Sequence, residues 1–258
     1  MAYLDDHPNP NQSQFRCPRR EQPSGVCVVH TAENTPDTIA GDGGAEAVAR
    51  FISTRDTPGS YHDLCDSDSI INLVRYECEA FHDATSHGNW HEYGVSGATR
   101  AAMWSQMTAA WRAGCVGNMA IAASRYAHWL HARRGILVPA RRINRFQSES
   151  RMPGFISHAE RDPARRTDPG RDFPWGDFLA LFSDLTADLR GQPIPEPEEL
   201  PDMFLYGSPG KPVFFCDAGK SVGLNESTDV PTFRDQGVPY FALDDDTFAK
   251  FRERFPGA

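Results

Sequence analysis

Lysine is absent from the first 210 residues, and the first lysine of the chain is Lys211. A fixed side-chain cation in that long stretch must therefore be an arginine, which excludes a catalytic lysine there. Long apolar runs are also lacking, and Gly135 to Ala140 is typical of the longest. Because a membrane-spanning helix needs about 18 apolar residues in succession, we expect no membrane insertion. The polar, acidic start MAYLDDHPNPNQSQF does not resemble a secretory signal, so we expect a protein made in the cytoplasm without a signal peptide.

Closely spaced cysteine pairs are missing as well. None of the six cysteines belongs to a C-x-x-C pair, which excludes a zinc ribbon or a thioredoxin-like motif. A chain of 258 residues can bury a sizeable core without disulfides. We therefore expect reduced thiols, with Cys27 as a small core residue inside an apolar run.

The chain also lacks an excess of positive charge. Its formal net charge of −9 excludes a general nucleic-acid binder, which would carry a basic surface. The charge is nevertheless uneven, because residues 133–173 hold 10 arginines against 5 acidic residues. Two interpretations remain open for this basic stretch: an anionic substrate binds beside it, or it is a solvated arginine-rich loop.

Short apolar segments alternate with helical patterns between residues 25 and 190. This alternation predicts an α/β fold with a mixed central β-sheet flanked by helices. The predicted strands are Val26 to His30, Tyr61 to Leu64, Ile70 to Val74, Tyr93 to Ser96 and Pro153 to Ser157. The predicted helices are Ala45 to Thr54, two helices in 98–134 that are broken near Gly114–Gly117, and Trp175 to Arg190. In the last helix, Phe178, Leu181, Leu185 and Leu189 share one apolar face.

Composition divides the chain into three parts. Residues 1–190 form the large domain, and residues 191–201 (GQPIPEPEELP) form a stiff linker rich in proline and glutamate. Residues 202–258 are predicted to form a small α+β domain. Its strands are Met203 to Tyr206, Val213 to Cys216 and Ser221 to Leu224, and its helices lie near Pro231 and at Asp245 to Phe255.

Two histidines and an aspartate stand at positions that suit a metal site. His30 and His158 each end a predicted strand, and Asp168 follows ten residues after His158 in the turn sequence TDPG. Two imidazoles and a carboxylate are typical of a hydrolytic zinc site whose fourth position is left to water. Taken one by one, such residues are more often ordinary hydrogen-bonding or turn residues. The sequence pattern around all three residues together is more specific for a metal site than any one of them alone.

Four stretches of the sequence resemble the zinc-dependent N-acetylmuramoyl-L-alanine amidases of the type-2 family, which are related to peptidoglycan recognition proteins. They are VVHTAE around His30, SYH at 60–62, AFH at 80–82 and SHAERDPARRTDPGRDFPW at 157–175. The resemblance covers about residues 10–190. It implies a mixed sheet flanked by helices, Zn²⁺ in a groove at the sheet's edge, and cleavage of the amide between N-acetylmuramic acid and L-alanine in bacterial peptidoglycan.

The resemblance also assigns roles to single residues. His30, His158 and Asp168 fall on the three zinc ligands, and His82 resembles a histidine of the substrate groove. Arg166 falls where many members carry a catalytic lysine, and Tyr61 falls where phage members carry a catalytic tyrosine. Some members use a glutamate on a central strand, where this chain has Ser96 with Glu92 nearby. The general base is therefore left open between Tyr61, Glu92 and water alone.

Other histidine pairs are weaker candidates for a metal site. His87 and His91 are four positions apart, but Gly88 between them disfavours the helix that such a pair needs. His128 and His131 lack the glutamate of a His-Glu-x-x-His motif and are predicted to lie on a helix surface. Cys115 has no local signature of a thiol hydrolase around it.

The resemblance implies a monomeric phage endolysin that acts on the bacterial cell wall, made in the host cytoplasm. Residues 202–258 look like the small wall-associated modules of lytic enzymes from actinobacteria and their phages. Two alternatives stand beside this one. The first is a catalytically inactive peptidoglycan-binding protein, and the second is a cytosolic amidase that recycles free muropeptides. Three intact candidate ligands favour an enzyme, and the extra C-terminal domain disfavours the recycling role.

Overall fold

A six-stranded mixed sheet is the centre of the computed structural model of this protein. The structure describes residues 3–6, 11–34, 44–83 and 86–191, together with the backbone of 203–207, 214–217, 220–223 and 240–242. The strands of the first part are β1 Tyr3–Asp6, β2 Phe15–Arg16, β3 Val26–Thr31, β4 Asp63–Cys65, β5 Ser69–Asn72, β6 Glu79–Ala80, β7 Tyr93–Gly97 and β8 Gly154–Ser157. The order in the large sheet is β1-β5-β4-β7-β3-β8, and β2 pairs with β6 in a separate ribbon.

All neighbours in the large sheet run parallel except β4 and β5, which are antiparallel. The predicted strands of the α/β core are therefore all present, although the ends of the β4–β5 pair differ by one to two residues. The N-terminal segment adds the edge strand β1 and the short strand β2, where the sequence shows no strand pattern.

Helices cover both faces of the sheet, which confirms the predicted fold class. They are α1 Gly44–Thr54, α2 Ser86–His91, α3 Ala109–Arg134, α4 Arg145–Glu149, α5 His158–Arg161 and α6 Trp175–Leu185. Alternate side chains of the strands divide the core between the two faces, as a period of two requires. Leu64 and Ile71 pack in a cluster with Ile52 of α1. Their neighbours Cys65 and Ile70 pack in the larger cluster that contains α3 and α6.

Helix α3 corrects the prediction of two helices in 98–134. It runs unbroken for 26 residues through Gly114 and Gly117. It begins after Thr108, whose hydroxyl accepts a hydrogen bond from the backbone N–H of Trp111, and it ends at Gly135 in the left-handed conformation (φ 64°). Among the helices in the described part of the chain, none is both long and apolar enough to cross a bilayer.

Helix α6 also differs from its prediction. It ends at Leu185, and a short 3-10 turn at Ala187–Gly191 follows. The buried residues on it are Phe178 and Phe182, which meet the ring of Phe155 edge-on, whereas Leu181 and Leu185 are each 40% exposed. The predicted leucine face is therefore wrong at two of its four positions, because the aromatic pair decides which side of the helix faces the core.

A disulfide between Cys17 and Cys78 corrects the expectation of reduced thiols throughout. The antiparallel register of β2 and β6 pairs Arg16 with Glu79, so the next residues along, Cys17 and Cys78, face each other. The two cysteines are 61 positions apart, and the two-residue strands that align them have no sequence signal. Cys27 is a buried free thiol, as predicted.

The C-terminal part contains four strands: β9 Met203–Gly207, β10 Phe214–Asp217, β11 Lys220–Gly223 and β12 Tyr240–Ala242. They form a second sheet, with the order β11-β10-β9-β12. The first three confirm the predicted strands of this part, and β12 was not predicted. Residues 192–201 of the predicted linker and the predicted helices near Pro231 and at 245–255 lie outside the described residues.

Candidate metal centre

His30 owes its position to the alternation of strand β3. Cys27 and Val29 point into the core beneath α3, so Val26, Val28 and His30 point to the opposite face of the sheet. His30 is the fifth residue of this fully buried strand and is itself 1% exposed. The strand therefore delivers a rigidly held imidazole at its carboxyl end.

His158 stands beside His30 because β8 runs parallel to β3. The register pairs Val29 with Ser157, the residue before His158. Ser157 then stops the strand and begins helix α5 through a capping box: its hydroxyl accepts from the backbone N–H of Glu160, and the Glu160 carboxylate accepts from the backbone N–H of Ser157. The motif S-H-A-E thus fixes the point at which the chain turns and presents His158.

Asp168 reaches the two histidines from the turn that follows α5. Its backbone carbonyl accepts a hydrogen bond from the N–H of Ala159, and the carbonyl of Pro169 accepts one from the indole of Trp104. Gly170 has φ 97°, and a Cβ there would lie 2.0 Å from the carbonyl oxygen of Ala101. Only glycine fits at this position, which explains the third residue of the Asp-Pro-Gly sequence.

The three side chains form a compact triangle of donor atoms. The Nδ1 atoms of His30 and His158 are 3.0 Å apart, and each lies 3.1 Å from Oδ2 of Asp168. Around a tetrahedral zinc ion with ligand distances near 2.1 Å, donor atoms lie about 3.4 Å apart. Within the described residues, this is the one group of three or more histidine, cysteine or acidic side chains that is close enough to hold a metal ion. Its nitrogen and oxygen donors suit zinc.

The protonation states of His30 and Asp168 also favour metal binding. Burial, together with the neighbouring His158 ring, lowers the pKa of His30 to about 4, so this imidazole is neutral at pH 7. Burial raises the pKa of the Asp168 carboxyl, but its close polar contacts with the rings of His158 and His30 outweigh it and hold that pKa well below its usual range. A neutral imidazole and an ionised carboxylate are the forms that bind a metal ion.

A cleft of about 670 Å³ opens over the triangle, and six of the residues that the sequence nominated for the site line it. These six are His30, Tyr61, His82, His158, Arg166 and Asp168. The ring of Tyr61 lies 5.3 Å from that of His30. Burial and the Asp168 carboxylate raise the pKa of Tyr61 to about 12, so the phenol keeps its proton at neutral pH.

Arg166 is set apart from the other arginines of the basic stretch 133–173. Six of the ten form ion pairs; these are Arg142, Arg145, Arg151, Arg161, Arg165 and Arg171. Arg165, for example, bonds Asp162 at 2.8 Å and does not line the cleft. Arg166 is exposed and does line it. Local pairing thus neutralises much of the stretch and leaves Arg166 facing the candidate site.

Glu92, one of the candidates for the general base, does not line the cleft, and neither does Ser96, which stands where some members of the family carry a glutamate. Glu92 is fully buried, and its carboxylate lies 2.8 Å from the guanidinium of Arg161. Burial raises the pKa of Glu92 to about 8, against the opposing effect of Arg161. Arg161 also bonds Asp83, a residue of the cleft lining, at 3.1 Å, so it joins two acidic side chains.

Helix α2 contradicts the expectation that Gly88 prevents a helix at 87–91. A Cβ at Gly88 would lie 1.8 Å from the Asp83 carboxylate and 2.7 Å from that of Glu92, so glycine here makes room for buried carboxylates. His91 on this helix contacts the hydroxyl of Ser24 at 2.9 Å. On the surface of α3, His128 bonds Asp188 at 3.1 Å. Neither contact belongs to the cleft.

Three charged or amide side chains of the lining lie outside the motifs that the sequence offered: Arg55, Asp83 and Asn89. Asp83 directly follows the AFH motif, and this adjacency is a usable signal. Arg55 and Asn89 lie in segments without any motif, so only the folded chain reveals their position.

No family model matches the sequence, and no curated protein matches it. Solved structures do resemble it. The hydrolase AmiA of Staphylococcus aureus, determined in complex with its ligand, is 16% identical over 73% of this chain and 85% of that one, with a TM-score of 0.48. A mutant endolysin from Bacillus subtilis is 18% identical over 70% and 98%, with a TM-score of 0.45. The N-acetylmuramoyl-L-alanine amidase LysC from Clostridium intestinale URNW is 15% identical over 74% and 99%, with a TM-score of 0.39. A function for this chain has to follow from the side chains of the cleft themselves.

Proposed function

We propose that this protein is a zinc-dependent N-acetylmuramoyl-L-alanine amidase that hydrolyses bacterial peptidoglycan. The observation that carries the proposal is the triangle of His30, His158 and Asp168 at the floor of the cleft, with donor atoms 3.0–3.1 Å apart. The motifs that resemble the type-2 amidases supply the substrate: the amide between N-acetylmuramic acid and L-alanine.

The three side chains would hold the ion, with a fourth position open toward the cleft. A zinc ion in such a site supplies Lewis acidity, which polarises an amide carbonyl and makes water nucleophilic at neutral pH. His30 comes from a buried strand end, and Asp168 comes from a turn whose backbone carbonyls accept two hydrogen bonds, so these ligands are held in fixed positions.

Arg166 would stabilise the negative charge that develops on the amide oxygen. An arginine side chain acts as a fixed cation, so its contribution is electrostatic and not a proton transfer. Its place on the wall of the cleft and its exposure fit a side chain that closes on bound substrate.

Tyr61 would orient the reacting groups as a hydrogen-bond donor. A phenol with a pKa of about 12 does not act as a base near pH 7, whereas its O–H can bond an oxygen of the substrate or a water. Glu92 is buried with Arg161 away from the cleft, so we assign it a structural role.

We further propose that the enzyme serves host lysis as a phage endolysin and acts on the intact wall. An inactive peptidoglycan-binding protein would not need three converging metal-binding side chains. A recycling amidase would prefer soluble fragments. Comparing the rates of hydrolysis of intact walls and of soluble muropeptides separates the two enzymes.

Metal analysis combined with mass spectrometry of digested cell walls tests the main proposal. The purified protein should contain one zinc ion per chain, and its digests should show free alanine amino termini without new reducing sugar ends. New reducing ends would identify a glycosidase instead. Hydrolysis at full rate by metal-free protein would overturn the zinc mechanism.

The C-terminal residues 202–258 would bind the wall. Joining a wall-binding module to a catalytic one raises the effective concentration of substrate at the active site. A protein ending at Gly191 should therefore hydrolyse soluble muropeptides but bind whole walls less tightly than the full chain in a sedimentation assay. Equal wall binding by the two proteins would remove this role from residues 202–258.

A further inference from the structure

The imidazole of His82 lies against the side of His30 that the triangle does not use. Nδ1 of His82 is 3.1 Å from Nε2 of His30, and the two rings meet edge-on with centroids 5.2 Å apart. Nδ1 of His30 meanwhile faces His158 and Asp168. The two nitrogens of His30 thus have separate partners.

The direction of the hydrogen bond between the two histidines follows from the chemistry of His30. A neutral imidazole carries a single proton, on one of its two nitrogens. If Nδ1 of His30 offers its lone pair to a metal ion, the proton is on Nε2. Nε2 must then donate, and Nδ1 of His82 must accept. His82 in turn carries its own proton on Nε2.

The protein holds His82 in the place that this bond requires. The side-chain oxygen of Asn89 accepts hydrogen bonds from the backbone N–H groups of His82 and Asp83, at 2.9 and 2.7 Å. On strand β7, Gly94 leaves room for the ring, because a Cβ there would lie 2.5 Å from Cγ of His82. His82 is 6% exposed, so little of it is available to a ligand in the cleft.

We infer that His82 is a positioning residue that acts through His30. It fixes the tautomer and the orientation of His30 so that the Nδ1 lone pair points into the triangle. This role differs from the substrate contact that the sequence indicated, and it rests on the proposed metal centre. Mutation of such a hydrogen-bonding partner of a metal ligand typically weakens metal affinity about 10–100-fold.

Competition of the full-length protein with a chromophoric chelator for Zn²⁺ tests the inference. His82→Leu should bind zinc about 10–100-fold more weakly than the unchanged protein. His82→Asn should recover most of the affinity, because its amide oxygen can accept a hydrogen bond near the position of Nδ1. His128→Asn, which removes a surface histidine, should bind zinc normally and controls for nonspecific binding.

Unchanged zinc affinity in His82→Leu, or a raised KM alone, would overturn the positioning role and leave the proposed function standing. An unchanged protein that binds no zinc would overturn both.

Nitrogen-15 NMR of the histidine rings in the zinc-loaded, unchanged protein is a second test, which does not depend on any variant folding. We expect a proton on Nε2 of His30 and on Nε2 of His82, with Nδ1 of His82 unprotonated. A proton on Nδ1 of His82 would reverse the bond and overturn the inference.

Discussion

His30 and His158 place their Nδ1 atoms 3.0 Å apart, although 128 positions separate the two residues in the sequence. Strands β3 and β8 bring them together as parallel neighbours whose register pairs Val29 with Ser157. Each histidine directly follows the last residue pair between these two strands, so the sheet itself sets the distance between them. A metal site built in this way depends on strand register and not on a flexible loop.

Loss of Asp168 should abolish tight zinc binding. Asp168→Ala removes the one carboxylate of the triangle, and the cost should exceed the roughly 10–100-fold that loss of an outer partner of a ligand typically causes. Zinc content after dialysis and the rate of wall hydrolysis should both fall. Asp172→Ala is the matched control, because Asp172 lies in the same turn region and pairs with Arg171 at 3.5 Å. Normal zinc content in Asp168→Ala would exclude this residue as a ligand.

Arg166→Ala should lower kcat with little change in KM, because a cation that stabilises an oxyanion acts mainly in the transition state. Loss of one such donor typically costs about 10²–10³ in rate. Arg166→Lys should restore part of the rate, since it returns a cation of different shape. Arg165→Ala should change the rate far less, because Arg165 pairs with Asp162 outside the cleft. A normal kcat in zinc-loaded Arg166→Ala would show that another group stabilises the developing charge.

The candidate ligands could be predicted because each has a local signal. His30 and His158 end short apolar strands, and Asp168 lies in a turn that only glycine at position 170 allows. The ion pairs of Arg161 had no such signal. Its partner Asp83 is 78 positions away, and the two meet only when α5 packs above the loop before α2. The same holds for the disulfide, whose cysteines face each other through a pairing of two-residue strands.

Stability of the metal-free protein should fall as the pH drops below about 6.5, and His62 should contribute to this. Burial and the nearby Arg19 guanidinium lower the pKa of His62 well below its usual value. Its Nδ1 accepts the backbone N–H of Gly94, so this nitrogen cannot take up a proton without losing that bond. Between the unfolded pKa and the lower folded pKa, the unfolded chain binds the extra proton, so acid favours unfolding.

Urea unfolding between pH 5 and 7.5, with chelator present, measures this dependence. One such group contributes at most about 1.4 kcal/mol of unfolding free energy per pH unit. His62→Asn keeps an acceptor for Gly94 but does not titrate, so its stability should depend less steeply on pH, whatever its absolute value. His128→Asn removes a surface histidine and serves as the control. The same pH slope in His62→Asn and the unchanged protein would mean that His62 titrates alike in both states.

The continuity of α3 was missed because glycine is ordinarily a poor helix former, and two glycines three positions apart indicate a break. Tertiary packing explains one of them. Helix α3 crosses the turn between β4 and β5 so closely that a Cβ at Gly114 would lie 2.5 Å from the carbonyl oxygen of Ser67. Gly117 has no atom of another element within 4 Å of such a Cβ. The close approach, and not a turn, accounts for glycine at position 114.

These two glycines should therefore respond in opposite ways to alanine. Gly117→Ala should raise the free energy of unfolding by about 0.5–1 kcal/mol, the usual gain of alanine over glycine inside a helix. Gly114→Ala should lower it by about 1–3 kcal/mol, because the clash is with backbone that must move, and overpacking outweighs the helix propensity. Urea denaturation of both variants beside the unchanged protein measures the difference. Equal stabilisation by both substitutions would show that α3 does not approach Ser67 as closely as described.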